Sequence, residues 1–293
     1  MIKRTVEISS GNMHVRLRQG QLVMEQEKKF VGSIPAEDVG LLIFDSHMAS
    51  CTQSALTAAM ENDAAVIVCG NDHQPVGLML PYEGNQLHAE RLRLQLDLKK
   101  PLLKRLWQQI VQAKIKRQAD LLEQGSAERT RLRRLAKDVR SGDPDNHEAQ
   151  AARFYWPALF GSGFRRSREG DAPNNLLNYG YMAVRASTAR AICGAGLHPA
   201  IGIHHSHRNN TFCLADDLME PYRPFVDKRV KELWEAGEDA ISKKTKAYLL
   251  KVLTDEVIVA GQSGPLMVAL GKSAASLVHC FSGERSELDL PQP

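Results

Sequence analysis

The hydrophobic periodicity of this 293-residue chain changes once along its length, and that change limits the folds open to it. Between residues 4 and 34 apolar and polar side chains alternate, as in MHVRLR at 13–18. Beyond a break at residues 81–85, Leu and Ile recur every three or four positions instead. A period of two is typical of strands and a period near 3.6 of helices. We therefore predict an α+β protein, with a small β-rich domain over residues 1–84 and a larger all-helical domain over 85–293.

Individual elements follow from the same patterns and from turn residues. In the first domain the sequence predicts further strands near 41–44, 65–69 and 76–80, and a short helix at 52–61. In the second it predicts helices that include 147–160, 175–194, 226–238 and 240–260. The polar tail SGERSELDLPQP is expected to fray.

Charge is divided unequally between the two parts. Residues 1–88 hold 6 Lys/Arg against 10 Asp/Glu, a net charge of −4, whereas residues 89–293 hold 32 against 24, a net charge of +8. The segment 91–140 alone carries 15 Lys/Arg and 5 Asp/Glu. A solvated basic face and a nucleic-acid track both explain such a segment. Any polyanionic partner is expected on the C-terminal part.

Several protein classes are excluded. The five cysteines are widely spaced without a CxxC pair, which argues against a disulfide framework and a four-thiolate zinc site. No apolar run is long enough to span a membrane, and the N-terminus lacks the apolar stretch of a secretory signal. We expect a cytoplasmic protein without membrane contact. Nucleotide-binding glycine loops and a GxSxG nucleophile turn are also missing from the sequence.

Residues 198–224, HPAIGIHHSHRNNTFCLADDLMEPYRP, concentrate the side chains that bind metals. A second acid, Glu148, opens the otherwise apolar and aromatic stretch 146–161, where a lone carboxylate needs a partner. Hard ions such as Mg²⁺ or Mn²⁺ take carboxylate oxygens and sometimes imidazole. Glu148, His205 and Glu220 supply that mixture, and Asp217 would share a helix face with Glu220.

Each of these residues could instead have a purely structural role. Glu148 could only complement a helix dipole, and a lone histidine is commonly structural. In an extended segment His204 would face away from His205 and His207, so only one of the two faces can serve the site. A zinc site formed by His205, His207 and Cys213 is a further alternative, although it lacks the usual paired spacings.

Three motifs in order, HEAQAARFYWPALFG, NNLLNYGYMAVRASTARAICGAGLHPAIGIHH and FCLADDLMEPYRPFVDKRV, resemble the CRISPR-associated integrase and endonuclease of the spacer-acquisition module. IPAEDVGLLIFD at 34–45 is similar to that family's N-terminal β-domain, so the resemblance covers nearly the whole chain. The forms GIHH and DLMEPYRP most resemble members found beside single-protein, type II effectors.

The resemblance implies a β-domain followed by a helical catalytic domain, and a reaction in which a fragment's 3′ hydroxyl attacks a repeat phosphate. It places Mg²⁺ or Mn²⁺ on Glu148, His205 and Glu220, with Asp217 as a possible second acid and His204 as the competing histidine. Arg165, Arg166 and Arg168, in a Gly-rich loop, are the expected DNA contacts, with a mobile solvated loop as the alternative.

The implied partners are double-stranded DNA fragments, CRISPR repeat DNA, a second copy of the chain, a small second CRISPR-associated protein and the RNA-guided effector. Two competing functions are considered. A phosphohydrolase of small esters would not need the extended basic segment. A non-catalytic DNA-binding scaffold would use the same acids and histidines as a buried polar network.

Overall fold

The structure is a computed structural model that describes residues 3–82 and 84–292. Its first third forms two four-stranded sheets, ordered β4-β3-β2-β6 and β1-β5-β7-β8. The elements are β1 (Arg4–Ile8), β2 (Met13–Arg18), β3 (Gln21–Gln26), β4 (Lys29–Pro35), β5 (Val39–Phe44), β6 (Ser50–Cys51), α1 (Gln53–Glu61), β7 (Ala65–Cys69) and β8 (Pro75–Met79). The strands and the short helix predicted for this part are confirmed. Residue 83, inside the predicted break, lies outside the described residues.

The remainder is mainly helical. It contains α2 (His88–Leu96), α3 (Lys100–Leu121), α4 (Ala127–Asp138), α5 (His147–Phe160), α6 (Asn174–Gly194), α7 (Cys213–Met219), α8 (Arg223–Glu235), α9 (Lys243–Leu250) and α10 (Leu266–Phe281). The helices predicted at 147–160 and 175–194 are confirmed. Helix α8 begins earlier than predicted because Pro224 fits its first turn, where a missing N–H leaves no hydrogen bond unmade. Among the described residues, no helix combines the length and apolarity needed to cross a bilayer.

The prediction of an all-helical second domain is wrong at one place. Residues 256–259, predicted as the end of a helix at 240–260, form instead the strand β9 (Glu256–Val259), which pairs antiparallel with β10 (Gln262–Pro265). Val257 and Val259 are buried while their neighbours are exposed, which is the period of a strand. Ala260 and Gly261 both have positive φ, 52° and 71°, as a two-residue hairpin turn requires.

The chain's end is packed rather than frayed up to residue 292. Leu288 and Leu290 belong to the apolar cluster that α3 and α10 form, and Pro291 pairs with Val259 of β9. The N–H of Gln292 donates to the carbonyl O of Ile258. Two leucines in an otherwise polar tail are enough to bury it, so the expectation of fraying is wrong for these residues.

The largest apolar cluster joins the two parts of the chain. Leu41 and Ile43 of β5 and Ile67 of β7 pack with Leu177 and Val184 of α6. The sheet β1-β5-β7-β8 therefore presents one face to the helices, while Leu42 and Val66 on its other face pack in a second apolar cluster with α1. Because both faces are covered, its strands are nearly uninterrupted apolar runs. The division into domains at residues 84 and 85 stays a prediction, because this cluster crosses it.

Candidate metal centre

Glu148 lies in the first turn of α5, where other side chains already cap the helix. Asn146, at φ 53°, accepts from the N–H of Ala149. The Asp143 carboxylate accepts from the N–H groups of His147 (2.8 Å) and Glu148 (3.0 Å). Since these donors are satisfied, the Glu148 carboxylate is free to reach α3, where its Oε1 lies 2.6 Å from the Lys114 Nζ. Capping alone does not explain this acid.

The loop that carries His205 is folded around the buried carboxylate of Asp217 on α7. Asp217 accepts from the N–H groups of Ile203 (2.6 Å), His204 (2.9 Å) and His205 (3.2 Å). Its Oδ1 also lies 2.5 Å from the His205 Nδ1. Because Asp217 holds the Nδ1 side of the ring, the Nε2 of His205 is the nitrogen available to a ligand. Asp217 therefore positions His205, and its role as a second acid stays a prediction.

Gly202 allows this loop to close so tightly. A Cβ at position 202 would lie 2.3 Å from the carbonyl O of His205 and 2.9 Å from the Asp217 Oδ2. Carbon and oxygen atoms cannot approach so closely without displacing the backbone, so only glycine fits. The close packing of this loop thus explains why the GIHH motif has a glycine at position 202.

The geometry favours His205 over His204 as a ligand. The His204 ring stacks on Trp107, with ring centroids 4.2 Å apart and planes 3° from parallel. The hydrogen bond that the His205 ring donates to Asp217 raises the pKa of His205. Burial opposes this rise, and the charges of Asp217, Glu220 and Glu148 add to it. His205 is thus close enough to feel both candidate carboxylates.

Glu220 begins a 3-10 turn, Glu220–Tyr222, directly after α7 and is almost completely buried. Its Oε1 accepts from the Arg223 Nε (2.9 Å), and its Oε2 lies 2.5 Å from the Lys114 Nζ. Burial raises the pKa of this carboxyl, but the charges of Arg223 and Lys114 outweigh burial and hold the pKa well below its usual range. Glu220 is thus ionised at neutral pH.

Lys114, which was not predicted from the sequence, joins the two candidate ligands. Burial lowers the pKa of its ammonium, yet Glu220 and Glu148 outweigh burial and raise that pKa above its ordinary value. A signal for it exists in the sequence, because Lys114 occupies the apolar stripe of α3 together with Trp107, Val111 and Gln118, all buried. A lysine on such a stripe needs buried acidic partners.

The donors fit a hard divalent ion, although Lys114 now lies between them. Among residues 3–82 and 84–292, no group of three His, Cys, Asp or Glu is already arranged around an ion position. The set nevertheless offers two carboxylates and an imidazole nitrogen, as Mg²⁺ and Mn²⁺ accept. Moreover, the buried Glu220 Oε2 already has a cation, the Lys114 ammonium, as its partner at 2.5 Å, so the position that this oxygen faces suits a positive charge.

The residues of the zinc alternative are not brought into a site. His207 is exposed, and its Nδ1 accepts from the N–H of Asn209 (3.3 Å). The Cys213 Sγ donates to the carbonyl O of Asn210 (3.3 Å), and burial raises the pKa of this thiol. A raised pKa disfavours the thiolate that zinc binds.

An open groove of about 770 Å³ begins beside His205. Its lining includes four arginines, Arg166, Arg168, Arg185 and Arg223, together with the aromatic rings of Tyr181 and Phe212. Arg185 is neutralised by Asp216, whose carboxylate accepts from its Nε at 2.6 Å. Of the three predicted DNA contacts, Arg166 and Arg168 line the groove, whereas Arg165 is exposed outside it.

The loop that carries these arginines is tied to α6. The Arg166 guanidinium donates to the Oδ1 atoms of Asn174 (3.1 Å) and Asn178 (2.6 Å). The amide groups of the same asparagines donate to the carbonyl O atoms of Arg165 (3.1 Å) and Arg168 (2.7 Å). Such reciprocal bonds give the loop a defined shape, against the alternative of a solvated mobile loop.

Comparisons with known proteins agree with the motifs. A family model described as CRISPR associated protein Cas1 matches residues 6–259. The CRISPR-associated endonuclease Cas1 of Neisseria meningitidis serogroup C (strain 8013) is 36% identical, over 100% of this chain and 97% of that protein. A solved structure, "Casposase bound to integration product", matches with a TM-score of 0.81 at 18% identity, covering 98% of this chain and 92% of its own. The "Cas6-RT-Cas1--Cas2 complex" matches with a TM-score of 0.77 at 18% identity, covering 97% of this chain and 35% of its own. At these identities the two structures show the fold alone.

Proposed function

The chain belongs to the Cas1 family, and from that premise we propose that it is a divalent-metal-dependent DNA endonuclease and integrase of CRISPR adaptation. It would insert short DNA fragments into the repeat array. The observation that carries the proposal is that Glu148 and Glu220 converge on one ammonium, that of Lys114, while His205 feels the charges of both acids and lies beside an arginine-lined groove. The N. meningitidis relative, 36% identical over the whole chain, bears the name endonuclease.

In the proposed reaction the 3′ hydroxyl of an incoming fragment attacks a phosphorus of the target strand. The new P–O bond forms as the bond to the target's own 3′ oxygen breaks, so the number of phosphodiester bonds is unchanged and no nucleotide triphosphate is needed. Water in place of the hydroxyl gives strand cleavage at the same centre.

The residues have distinct roles in that reaction. Glu148, Glu220 and the Nε2 of His205 would hold Mg²⁺ or Mn²⁺, which supplies stabilisation of negative charge on the phosphate. Asp217 orients His205 through its Nδ1. Arg166 and Arg168 line the groove, where they would bind DNA phosphates. With Arg165, which is exposed, they form the proposed DNA contact.

The proposed partners are DNA fragments, repeat DNA, a second copy of the chain and the small second CRISPR-associated protein, with the RNA-guided effector as a further one. One structurally similar complex contains both Cas1 and Cas2 in its name. The β-rich part is acidic and carries exposed apolar side chains on its edge strands, such as Phe30 of β4 (68% exposed) and Val76 of β8 (73%). Exposed apolar edges suit protein contacts rather than DNA. The type II assignment stays a prediction.

One observation favours the non-catalytic scaffold as a second candidate. Lys114 and Arg223 already neutralise Glu220, so the site could be a structural ion-pair network. On that hypothesis Glu220→Ala should lower the melting temperature and remove no metal-dependent activity. On the integrase hypothesis it should abolish strand transfer while DNA still binds.

The test is strand transfer of a short labelled duplex with 3′ hydroxyls into a supercoiled plasmid that carries the repeat. The reaction contains Mg²⁺ or Mn²⁺ and the small partner protein, and it compares wild type with Glu220→Ala. Glu235→Gln, an exposed acid at the end of α8, is the matched control and should retain full activity. Joined product from wild type and control alone supports the proposal. No product from any of them, with DNA binding intact, contradicts it and favours the scaffold.

A further inference from the structure

The Lys114 ammonium occupies the space between the two candidate metal-binding carboxylates. It lies 2.6 Å from Glu148 Oε1 and 2.5 Å from Glu220 Oε2, on a side chain that is only 13% exposed. The two acids come from α5 and the turn after α7, and the lysine from α3, so three elements meet at one positive charge. The position between the two carboxylates is therefore occupied by a positive charge that belongs to the chain itself.

Electrostatics gives the reason for such an arrangement. Without a cation, two ionised carboxylates would face each other in a largely buried site, where like charges repel strongly because little water screens them. With a divalent ion and the lysine both present, their positive charges would repel each other instead. Arg223, which also contacts Glu220, would add to that repulsion. The ammonium and the metal ion are thus alternative occupants of the same place.

We propose that Lys114 is an internal counter-ion that fills the metal position in the metal-free protein and is displaced when Mg²⁺ or Mn²⁺ binds. Its four-carbon stem is flexible enough to move without a change in the backbone. The inference rests on the proposed metal site, and it goes further by assigning to Lys114 the control of metal affinity.

An acceptor for the displaced ammonium lies one turn further along α3. Gln118 is 3% exposed, and its Oε1 has no hydrogen-bond partner among the described residues. Side chains four positions apart on a helix are neighbours, so this oxygen would accept from the ammonium of Lys114 once the stem has rotated away from the acids. The exchange would satisfy a buried acceptor as it frees the carboxylates.

The test measures Mn²⁺ affinity, by calorimetry and by the electron paramagnetic resonance of free Mn²⁺, together with the melting temperature of the metal-free protein. Three proteins form a series at position 114: Lys114→Gln, wild type and Lys114→Arg. Lys116→Gln, an exposed lysine on the same helix, is the matched control.

Competition predicts an order of affinities. Lys114→Gln should bind Mn²⁺ about tenfold more tightly than wild type, within the usual range for coupled sites. Lys114→Arg should bind it more weakly, because the guanidinium fork holds two carboxylates more firmly. The control should match wild type, and metal-free Lys114→Gln should melt several degrees lower. A purely structural lysine would not produce this order.

Equal or weaker Mn²⁺ binding by Lys114→Gln, with wild type binding Mn²⁺, overturns the counter-ion inference and leaves the proposed function standing. Failure of every protein in the series to bind Mn²⁺ overturns both. If metal-free Lys114→Gln does not fold, Lys114→Arg is compared with wild type instead. A Mn²⁺ affinity of Lys114→Arg equal to or higher than that of wild type contradicts displacement.

Discussion

At the scale of single residues, Asp227 of α8 is an acid buried next to the candidate site. It is 1% exposed and accepts from the hydroxyl groups of Tyr155 (2.7 Å) and Tyr181. Burial raises the pKa of Asp227 to about 6, although both tyrosine hydrogen bonds and the charge of Arg223 act to lower it. The folded protein therefore binds this proton more tightly than the unfolded chain does.

The stability that this proton contributes is fully present below pH 3.8, the ordinary pKa of Asp, and is lost as the pH rises to about 6. We expect Asp227→Asn, which carries no charge, to gain stability relative to wild type over that interval, on the order of a few kcal/mol. Urea unfolding of both proteins between pH 4 and 7.5 measures the difference in their free energies of unfolding. The effects of the other titrating groups are common to both proteins and cancel in that difference. Parallel curves would show that Asp227 ionises normally in the folded state.

Much of the site could be predicted because its chemistry is concentrated in short motifs. His205 and Glu220 lie within one segment, and Glu148 stands out as a lone acid in an apolar stretch. The role of Asp217 was not predictable in the same way, because it depends on how the loop folds around one carboxylate. Lys114 is remote in sequence from both acids that it contacts, so only its place on an apolar stripe could have indicated it.

At the scale of elements, the loop between α5 and α6 gains its shape from the first turns of α6. Asn178 accepts from Arg166 at 2.6 Å and donates to the carbonyl O of Arg168 at 2.7 Å. Both arginines line the groove beside His205. The helix therefore holds the loop in the position from which these side chains could meet a phosphate.

We expect Asn178→Ala to loosen this loop without disturbing the helix, since alanine is the stronger helix former. Two lost hydrogen bonds of about 1 kcal/mol each should raise the rate of tryptic cleavage after the loop arginines by at least roughly tenfold. Mass spectrometry of limited digests gives that rate. Asn175→Ala, which removes a bond to Asp239 from the same helix, is the control and should leave it unchanged. Equal rates would mean that the asparagine does not hold the loop.

Helices with long apolar stripes could be predicted, whereas the β9–β10 hairpin could not. Helices α5 and α6 each repeat their pattern over several turns, so a few exceptions do not hide it. The hairpin strands contain four residues each, and the pattern 256–259 is too short to outweigh the helical segment before it. The sequence did not indicate the turn at Ala260 either, since alanine is rarely found at positive φ.

At the scale of the whole molecule, a buried ion network connects the β-rich part to the helices. Lys246 of α9 is 4% exposed, and its Nζ lies 3.2 Å from Glu7 Oε1 and also contacts Asp45 Oδ2. Glu7 belongs to β1 and accepts from the hydroxyl of Tyr179 on α6 (2.9 Å). Asp45 follows β5 and is bonded to the His73 Nδ1 at 2.9 Å. One lysine thus neutralises two acids from the opposite part of the chain.

We expect Lys246→Met to lower the free energy of unfolding by about 3–5 kcal/mol, because it leaves two buried carboxylates without their cation. Urea unfolding measures the loss, and hydrogen exchange should show it in both β5 and α6 if the network couples the two parts. Lys244→Met, whose exposed ammonium pairs with Glu238 on the surface, should change stability by less than about 1 kcal/mol. Adding Asp45→Asn to Lys246→Met should recover part of the loss, since one unpaired charge is then removed. A loss confined to α9, or one no larger than in the control, would show that apolar packing alone joins the sheet to the helices.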